Sequence, residues 1–450
     1  MKNNIIKFLE NKSIAILGFG VEGKSTYNYI RKYLPNQKVY ILDGNENLLE
    51  QNQNLINDYV ELILGPNYLN NLNSFDVIIK SPGIVIDASE SYIDKITSQM
   101  SLVLEYTDTF MIGVTGTKGK STTSSLIYDV LKDQNVDTIL TGNIGLPILD
   151  YVDDIKENTI VVTEFSSYQL EFLKKSPRIG IILNLYEEHL DHHKTLDNYY
   201  YSKLNMFKYQ TSNDYALYFS DNKTLNELVH ENNCQGKLLD VSFNKESYIN
   251  CDTKYVYYNN EIIYDVNDTR NLIGLHNVNN IMFALAITKI LNLDIKKAVE
   301  SINKFKPLKH RLEYIGTHRE ISFYSDAIAT IPEACINAIK SIGNIDTVIF
   351  GGMDRGINYN GFAEELLSTN VTNFICMPDT GIKISEELNT KKLNQNIYLV
   401  EDMEEAVKIA YQKTKPGMGC LLSPAAPSYN KYKNFLEKGD HFVELVEKFK

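Results

Sequence analysis

Tryptophan is absent from the 450 residues, cysteine occurs only five times, and basic side chains are outnumbered by acidic ones. The lack of tryptophan says little about function. The cysteines (Cys234, Cys251, Cys335, Cys376 and Cys420) are scattered and form no C-x-x-C pair. Neither a disulfide framework nor a cysteine-held zinc is therefore expected, and reduced structural thiols fit the pattern. With 45 Lys and Arg against 57 Asp and Glu, the formal charge is -12. That argues against a nucleic-acid or anionic-membrane surface, because such surfaces gather cations to displace counterions. Anionic small molecules stay within reach of local donors, such as glycine loops and single basic side chains. No apolar run approaches the ~18 residues that span a bilayer, and no signal-like stretch opens the chain. Neither internal repeats nor a low-complexity linker is present. A cytoplasmic protein is expected, without nucleic-acid partners or membrane insertion.

What is present is a globular composition, 43% hydrophobic and 23% charged. The length calls for roughly two to four domains. Apolar runs alternating with helical periods divide the chain into three α/β segments, 1–106, 107–307 and 308–450. The first has strands at Ile14–Leu17, at a run ending in Asp43, and at Val77–Ile79. The second has Phe110–Val114, Thr159–Thr163 and Ile179–Leu183, with helices near 122–133 and 277–291. The third repeats the alternation at Val348–Phe350, Phe374–Cys376 and Cys420–Leu422. Parallel sheets with ligands at the strand carboxyl ends are expected in all three.

Two glycine loops compete for a nucleotide. The first, Gly18-Phe19-Gly20-Val21-Glu22-Gly23-Lys24-Ser25, satisfies both G-x-G-x-x-G and G-x-x-x-x-G-K-[ST]. The second, Gly116-Thr117-Lys118-Gly119-Lys120-Ser121, misses the full phosphate-loop spacing because residue 114 is Val. Context reverses that ranking. The first loop is followed by a strand ending in Asp43, about twenty residues past its last glycine, as in folds where an acid meets a ribose. It suits a nucleotide diphosphate; a glycine turn that merely caps a helix is the plainer reading. The second opens a Ser/Thr-rich helix whose N–H groups would wrap a triphosphate, with Lys120 neutralising charge and Ser121 on Mg²⁺.

Downstream lie Glu164-Phe165-Ser166-Ser167-Tyr168-Gln169 and Asn184-Leu185-Tyr186-Glu187-Glu188-His189-Leu190-Asp191-His192-His193. An acid at a strand end near a phosphate loop is placed to complete a magnesium shell. The acid and imidazole cluster suggests a metal site without zinc-motif spacing. These runs, with Thr115–Thr122, His276-Asn277-Val278-Asn279-Asn280 and His310-Arg311-Leu312-Glu313, resemble the successive signatures of the Mur ligase family. The glycine-loop segment in front and Leu421–Ser428 with Phe435–Asp440 behind resemble its glutamate-adding branch.

The resemblance implies a Rossmann-like N-terminal domain (1–106) for a UDP-linked substrate, a central P-loop ATP-binding domain with a parallel sheet (107–307), and a C-terminal Rossmann-like domain (308–450) for glutamate. It implies ligation of glutamate to UDP-N-acetylmuramoyl-L-alanine through an acyl phosphate, with ATP and two Mg²⁺, by a monomer. Lys120, Glu164, His189 and Lys203 are then the catalytic set, and Ser121, Glu164, His189 and Lys203 the metal set, with Lys203 at the position the family carbamylates. ATP is expected on Gly116, Thr117, Lys118, Gly119, Lys120, Ser121, Thr122, Asn277, Asn280, Arg311 and Asp326. The UDP substrate is expected on Gly18, Phe19, Gly20, Asp43, Ser81, Pro82, Gly83, Asn143, Ser166, Gln169 and His189. Glutamate is expected on Thr330, Arg355, Ser428 and Phe435.

The third segment departs from the family pattern. Ile328 stands where a lysine is usual, Arg355 stands where a glutamate-binding basic residue is expected, and Pro427 enters the acceptor loop. Those departures resemble a subgroup that uses L-glutamate, whereas the family default is the D-isomer. A folylpolyglutamate-type ligase shares the ATP core but leaves residues 1–106 unexplained. A nicotinamide dehydrogenase built on the first loop leaves the second loop and Glu164 unexplained. A non-catalytic scaffold does not need Lys120, Glu164 and His189 intact.

Overall fold

The computed structural model describes residues 2–450 except 51, 56, 87–89, 143–145, 188–189, 245, 253, 273, 307, 355–358, 360, 391–394 and 429–430. The chain divides into two compact units, Met1–Thr269 with His276–Lys304, and Arg270–Leu275 with Phe305–Lys450. Among the described residues the first unit carries two sheets and the second carries one.

The N-terminal sheet is wholly parallel, in the order Val60–Leu64, Val39–Asp43, Ile14–Leu17, Val77–Lys80, Ile96–Thr97. Ile14–Leu17 is buried at every position, which explains its unbroken apolar run: a central parallel strand is covered on both faces. The chain winds outward from this strand in one direction and returns on its other side. The loops after Leu17 and Lys80 therefore flank a topological switch point, where open α/β sheets receive ligands.

The central sheet runs Glu261–Asp265, Tyr255–Tyr258, Ile249–Cys251, Lys237–Ser242, Tyr215–Phe219, Ile179–Ile182, Phe110–Thr115, Ile160–Glu164, Thr138–Gly142. Its first three strands pair with one another antiparallel. The second unit's sheet runs Glu313–His318, Ile321–Ser325, Gly419–Leu422, Ile345–Phe350, Asn373–Cys376, Asn396–Leu399, with an antiparallel pair at its leading edge. The α/β architecture agrees with the sequence, but the expectation of purely parallel sheets is corrected at these two edges. Tight turns at Asn259-Asn260 and at Arg319-Glu320, all four residues in positive φ, return the chain directly and make hairpins of them. Such short turns leave no room for the crossover that a parallel pair requires.

Within the first unit, polar contacts tie the N-terminal layer to the central one. Ser25 Oγ donates to Asp150 Oδ1 at 2.7 Å, and Lys32 Nζ lies 2.6 Å from Asp153 Oδ2. Gln169 Nε2 donates to Glu22 Oε1 at 2.9 Å, and Gln99 Oε1 accepts from Leu149 N at 3.5 Å. Among the described residues no helix is long and apolar enough to cross a membrane.

Candidate active site

The second glycine loop leaves the carboxyl end of Phe110–Thr115, the strand lying between Ile179–Ile182 and Ile160–Glu164. It enters the helix Lys120–Asp133, whose N-cap, Gly119, supplies no capping side chain. Some helices of the first unit are capped by side chains, as where Thr195 accepts from Asn198 N and Ser166 with Gln169 closes a capping box, whereas the first loop's helix Val21–Tyr33 also starts on a glycine, Gly20, without one. A helix start without a side-chain cap keeps its first-turn donors oriented toward an anion, and the helix dipole adds to the attraction. Gly119 has φ +86°, and a Cβ there would lie 2.8 Å from Asn280 Oδ1. Glycine is needed on both counts.

Neighbouring strands brace the loop. Asn184 Oδ1 accepts from Lys118 N at 2.8 Å while its Nδ2 donates to Lys118 O at 3.0 Å. Thr117 Oγ1 accepts from Tyr186 N at 2.9 Å and meets Tyr199 OH at 3.0 Å. Asn280 Oδ1 accepts from Thr123 Oγ1 at 3.1 Å, and Asn280 Nδ2 donates to Asn277 Oδ1 at 2.9 Å. Tyr199 and Thr123 escaped the sequence reading; only the position of Tyr199 in a run of three tyrosines marked its region.

Lys120 Nζ donates to the carbonyls of Gly116 and Thr117 at 3.0 and 2.9 Å. Lys203, only 1% exposed, donates to Gly116 O at 3.0 Å and lies 4.9 Å from the Tyr199 ring centre. An ordinary surface lysine of the helix Leu196–Lys208 is excluded by that burial. Glu164, also 1% exposed, ends the strand Ile160–Glu164, and the next amide donates to Val114 O at 2.8 Å. The structure thus brings Gly116–Thr122, Glu164, Lys203, Asn277 and Asn280 together. A buried carboxylate, a first-turn hydroxyl on Ser121 and donor-lined glycines fit a magnesium–triphosphate complex. His189, the fourth metal candidate, lies outside the described residues.

The first loop is built differently. A Cβ on Gly23 would lie 2.1 Å from Gly18 O, so the helix Val21–Tyr33 packs directly on the loop. At Gly20 and Gly83 a Cβ would meet nothing within 4 Å, which leaves the switch-point face open to a ligand. Ser81 Oγ donates to Gly18 O at 3.0 Å and joins the two turns. Asp43 Oδ2 accepts from Phe19 N at 2.7 Å, so this carboxylate braces the loop. Ser25 is engaged by Asp150 and Lys24 is exposed. This loop therefore does not present the lysine and hydroxyl pair of a triphosphate site. Ser166 and Gln169 sit in the capping box, and Gln169 also reaches Glu22 of the first loop's helix. Asn143 lies outside the described residues. Lys80, missed from sequence, is buried beside Pro82, Tyr168, Gln169 and Phe172. Burial lowers its pKa to about 8, although Glu171 and Glu22 oppose the shift.

In the second unit, Asp326 follows Ile321–Ser325 and accepts from Leu312 N at 3.1 Å, next to Arg311. Burial raises its pKa to about 6; the Leu312 hydrogen bond, Arg311 and Ser423 oppose the shift. Thr330 is half-buried just before the helix Pro332–Ile342. Ser428 is buried and, among the described residues, its hydroxyl has no hydrogen-bond partner. Phe435 opens the helix Phe435–Phe449 and is half-buried. Arg355 lies outside the described residues. Lys438, also missed from sequence, is buried, donates to Gly351 O at 2.5 Å, and has its pKa lowered to about 7 by burial.

Comparison with known proteins matches residues 114–288 to the Mur ligase middle domain and residues 310–426 to the Mur ligase glutamate ligase domain. The chain is 33% identical over 464 residues to UDP-N-acetylmuramoylalanine--D-glutamate ligase of Clostridium botulinum, covering 100% of both chains. Among solved structures it resembles UDP-N-acetylmuramate-alanine ligase MurC of Thermotoga maritima at TM-score 0.63 and 19% identity, covering 98% of this chain and 100% of that one. It also resembles MurF ligase of Thermotoga maritima in complex with ADP at TM-score 0.61 and 16% identity, covering 100% and 99%. These two likenesses speak for the fold. With a full-length relative at 33% identity and both domain models matched, the chain belongs to the Mur ligase family.

Proposed function

We propose that the chain is an ATP-dependent, ADP-forming amide ligase that adds D-glutamate to UDP-N-acetylmuramoyl-L-alanine in the cytoplasmic synthesis of peptidoglycan precursors. One observation carries the reading: a glycine loop at the head of a helix without a side-chain cap, with Glu164 and Lys203 buried beside it. Residues 1–106 hold the UDP substrate through Gly18, Phe19, Gly20, Ser81, Pro82 and Gly83. Asp43 supports them, and Asn143, Ser166, Gln169 and His189 meet the sugar end. Residues 107–307 bind ATP, with Asn277 and Asn280 toward the adenine. Residues 308–450 supply Arg311 and Asp326 to the nucleotide and Thr330, Arg355, Ser428 and Phe435 to glutamate.

In the first step a carboxylate oxygen of the UDP substrate bonds to the γ-phosphorus, and the bond to the β-bridging oxygen breaks to release ADP. The glutamate amine then attacks the acyl carbon, phosphate leaves, and the amine gives up a proton. Both partners of the first step are anions, so the protein's task is to neutralise and align them. Lys120 and the first-turn N–H groups offset charge on the phosphates, while Asn184 and Thr117 keep the loop from shifting. Two magnesium ions, held by Ser121, Glu164, His189 and a carbamylated Lys203, would supply Lewis-acid charge compensation.

Carbamylation would turn a cation at the phosphate loop into an anionic oxygen ligand. Activity is therefore expected to fall when carbon dioxide is stripped from the buffer and to recover on adding bicarbonate. Activity indifferent to both treatments would remove the carbamate. The ligation itself is tested with ATP, Mg²⁺, UDP-N-acetylmuramoyl-L-alanine and each glutamate enantiomer. ADP release and a new amide product are expected with D-glutamate. Product with the L-isomer alone would reassign the substrate, and product with neither would overturn the reading.

A further inference from the structure

Outside the phosphate loop, one cluster of metal-ligating side chains among the described residues has no role in the ligation. Glu171, His192 and His193 each offer one donor atom, and these atoms all lie within 4.8 Å of one another. His192 and His193 are 8% and 3% exposed. Glu171 closes the short helix Ser167–Leu170 as its C-cap, and the histidines end the short helix Leu190–His193. The segments that follow Ile160–Glu164 and Ile179–Ile182, the two strands on either side of Phe110–Thr115, therefore meet here.

We infer that Glu171, His192 and His193 form a second metal site, for a transition-metal dication such as Zn²⁺ and not for Mg²⁺. Imidazole is a borderline donor that suits zinc, cobalt and nickel, whereas magnesium takes oxygen ligands and keeps its waters. Donors about 2.0–2.1 Å from a tetrahedral ion stand roughly 3.4 Å apart. His192 Nε2 and Glu171 Oε2 are already 3.1 Å apart, so rotating side chains closes the remaining gap. Support around the ligands is in place as well. Ser167 Oγ lies 3.0 Å from His193 Nε2. The Tyr168 ring lies 4.3 Å from that of His192 and stacks on that of His193 at 5.6 Å. Outer partners of this kind fix ring orientation and raise metal affinity. Three protein ligands leave one position for water or for a group on the substrate. Occupancy would staple the segment around Tyr168 and Gln169 to the segment that carries His189.

The test is titration of the purified, metal-free full chain with Co²⁺, followed by its visible d–d absorption and by thermal melting. One equivalent is expected to give a tetrahedral-type band and a higher Tm. His192→Gln and Glu171→Gln should each weaken cobalt by more than the roughly 10–100-fold typical of losing an outer-shell partner. Glu164→Gln should leave the band intact. No band in the unaltered chain overturns the site, as does a band that survives both His192→Gln and Glu171→Gln. A band lost in Glu164→Gln but kept in His192→Gln would place the ion at the phosphate loop and overturn it equally. Circular dichroism of each variant separates ligand loss from misfolding, and Zn²⁺ competition against bound cobalt gives a second measure in the unaltered chain.

Discussion

Replacing Lys120 with alanine is expected to lower ADP release by about three orders of magnitude, the upper end of what one preorganised donor contributes to a developing anion. In the structure Lys120 Nζ rests on two carbonyls of its own loop, Gly116 and Thr117. Both are neutral acceptors, weaker partners for an ammonium than a phosphate oxygen. The variant should still bind the UDP substrate in calorimetry, because the first glycine loop follows a different sheet strand and has its own braces at Asp43 and Ser81. Lys120→Met provides the control for packing, since it keeps the apolar stem and removes only the charge. A Lys120→Ala enzyme within about tenfold of normal turnover would show that this loop does not hold the triphosphate.

Asp326→Asn is expected to stabilise the protein at neutral pH while weakening nucleotide binding. Burial raises the Asp326 carboxyl from its ordinary 3.8 to about 6. The folded state therefore binds the proton more tightly than the unfolded chain, and stability falls as pH rises from about 4 to about 6. Above pH 6 the whole penalty is in force, at roughly 1–3 kcal/mol for a shift of this size. Asparagine keeps one oxygen for Leu312 N and puts an amide that can donate to the Ser423 hydroxyl in place of the other, and it carries no charge to desolvate. Melting curves should favour the variant at pH 7.5, and the gap should close toward pH 4. A variant less stable at both pH values would mean that the pairing with Arg311 outweighs the cost of burial. The penalty is consistent with a carboxylate kept ionised for a ligand.

The parts of the site that could be read from the chain alone are those whose physics is local. Gly23 and Gly119 announce themselves because no other residue tolerates their close approach or positive φ. Buried strands such as Ile14–Leu17 and Ile179–Ile182 are continuous apolar runs. Glu164 was legible as a strand-end acid. Lys203 was not, because its neighbours Tyr200, Tyr201 and Asn205 give no sign that this face of the helix turns inward; only the family resemblance singled it out. Lys80 and Lys438 stayed hidden because nothing local marks a lysine that folding will bury. Glu171 and His192, 21 residues apart, meet only because two parallel strands deliver their loops to the same edge. The hairpin edges were missed because Asn-Asn and Arg-Glu turns carry no glycine or proline signal.

The contacts of Ser25, Lys32 and Glu22 with their neighbours bear on protein engineering. Chimeras that transplant residues 1–106 between relatives would strand Ser25 and Lys32 opposite foreign side chains. Asp150, Asp153 and Gln169 would have to travel with the graft. The natural seam for such swaps follows these partners and not the end of the first sheet.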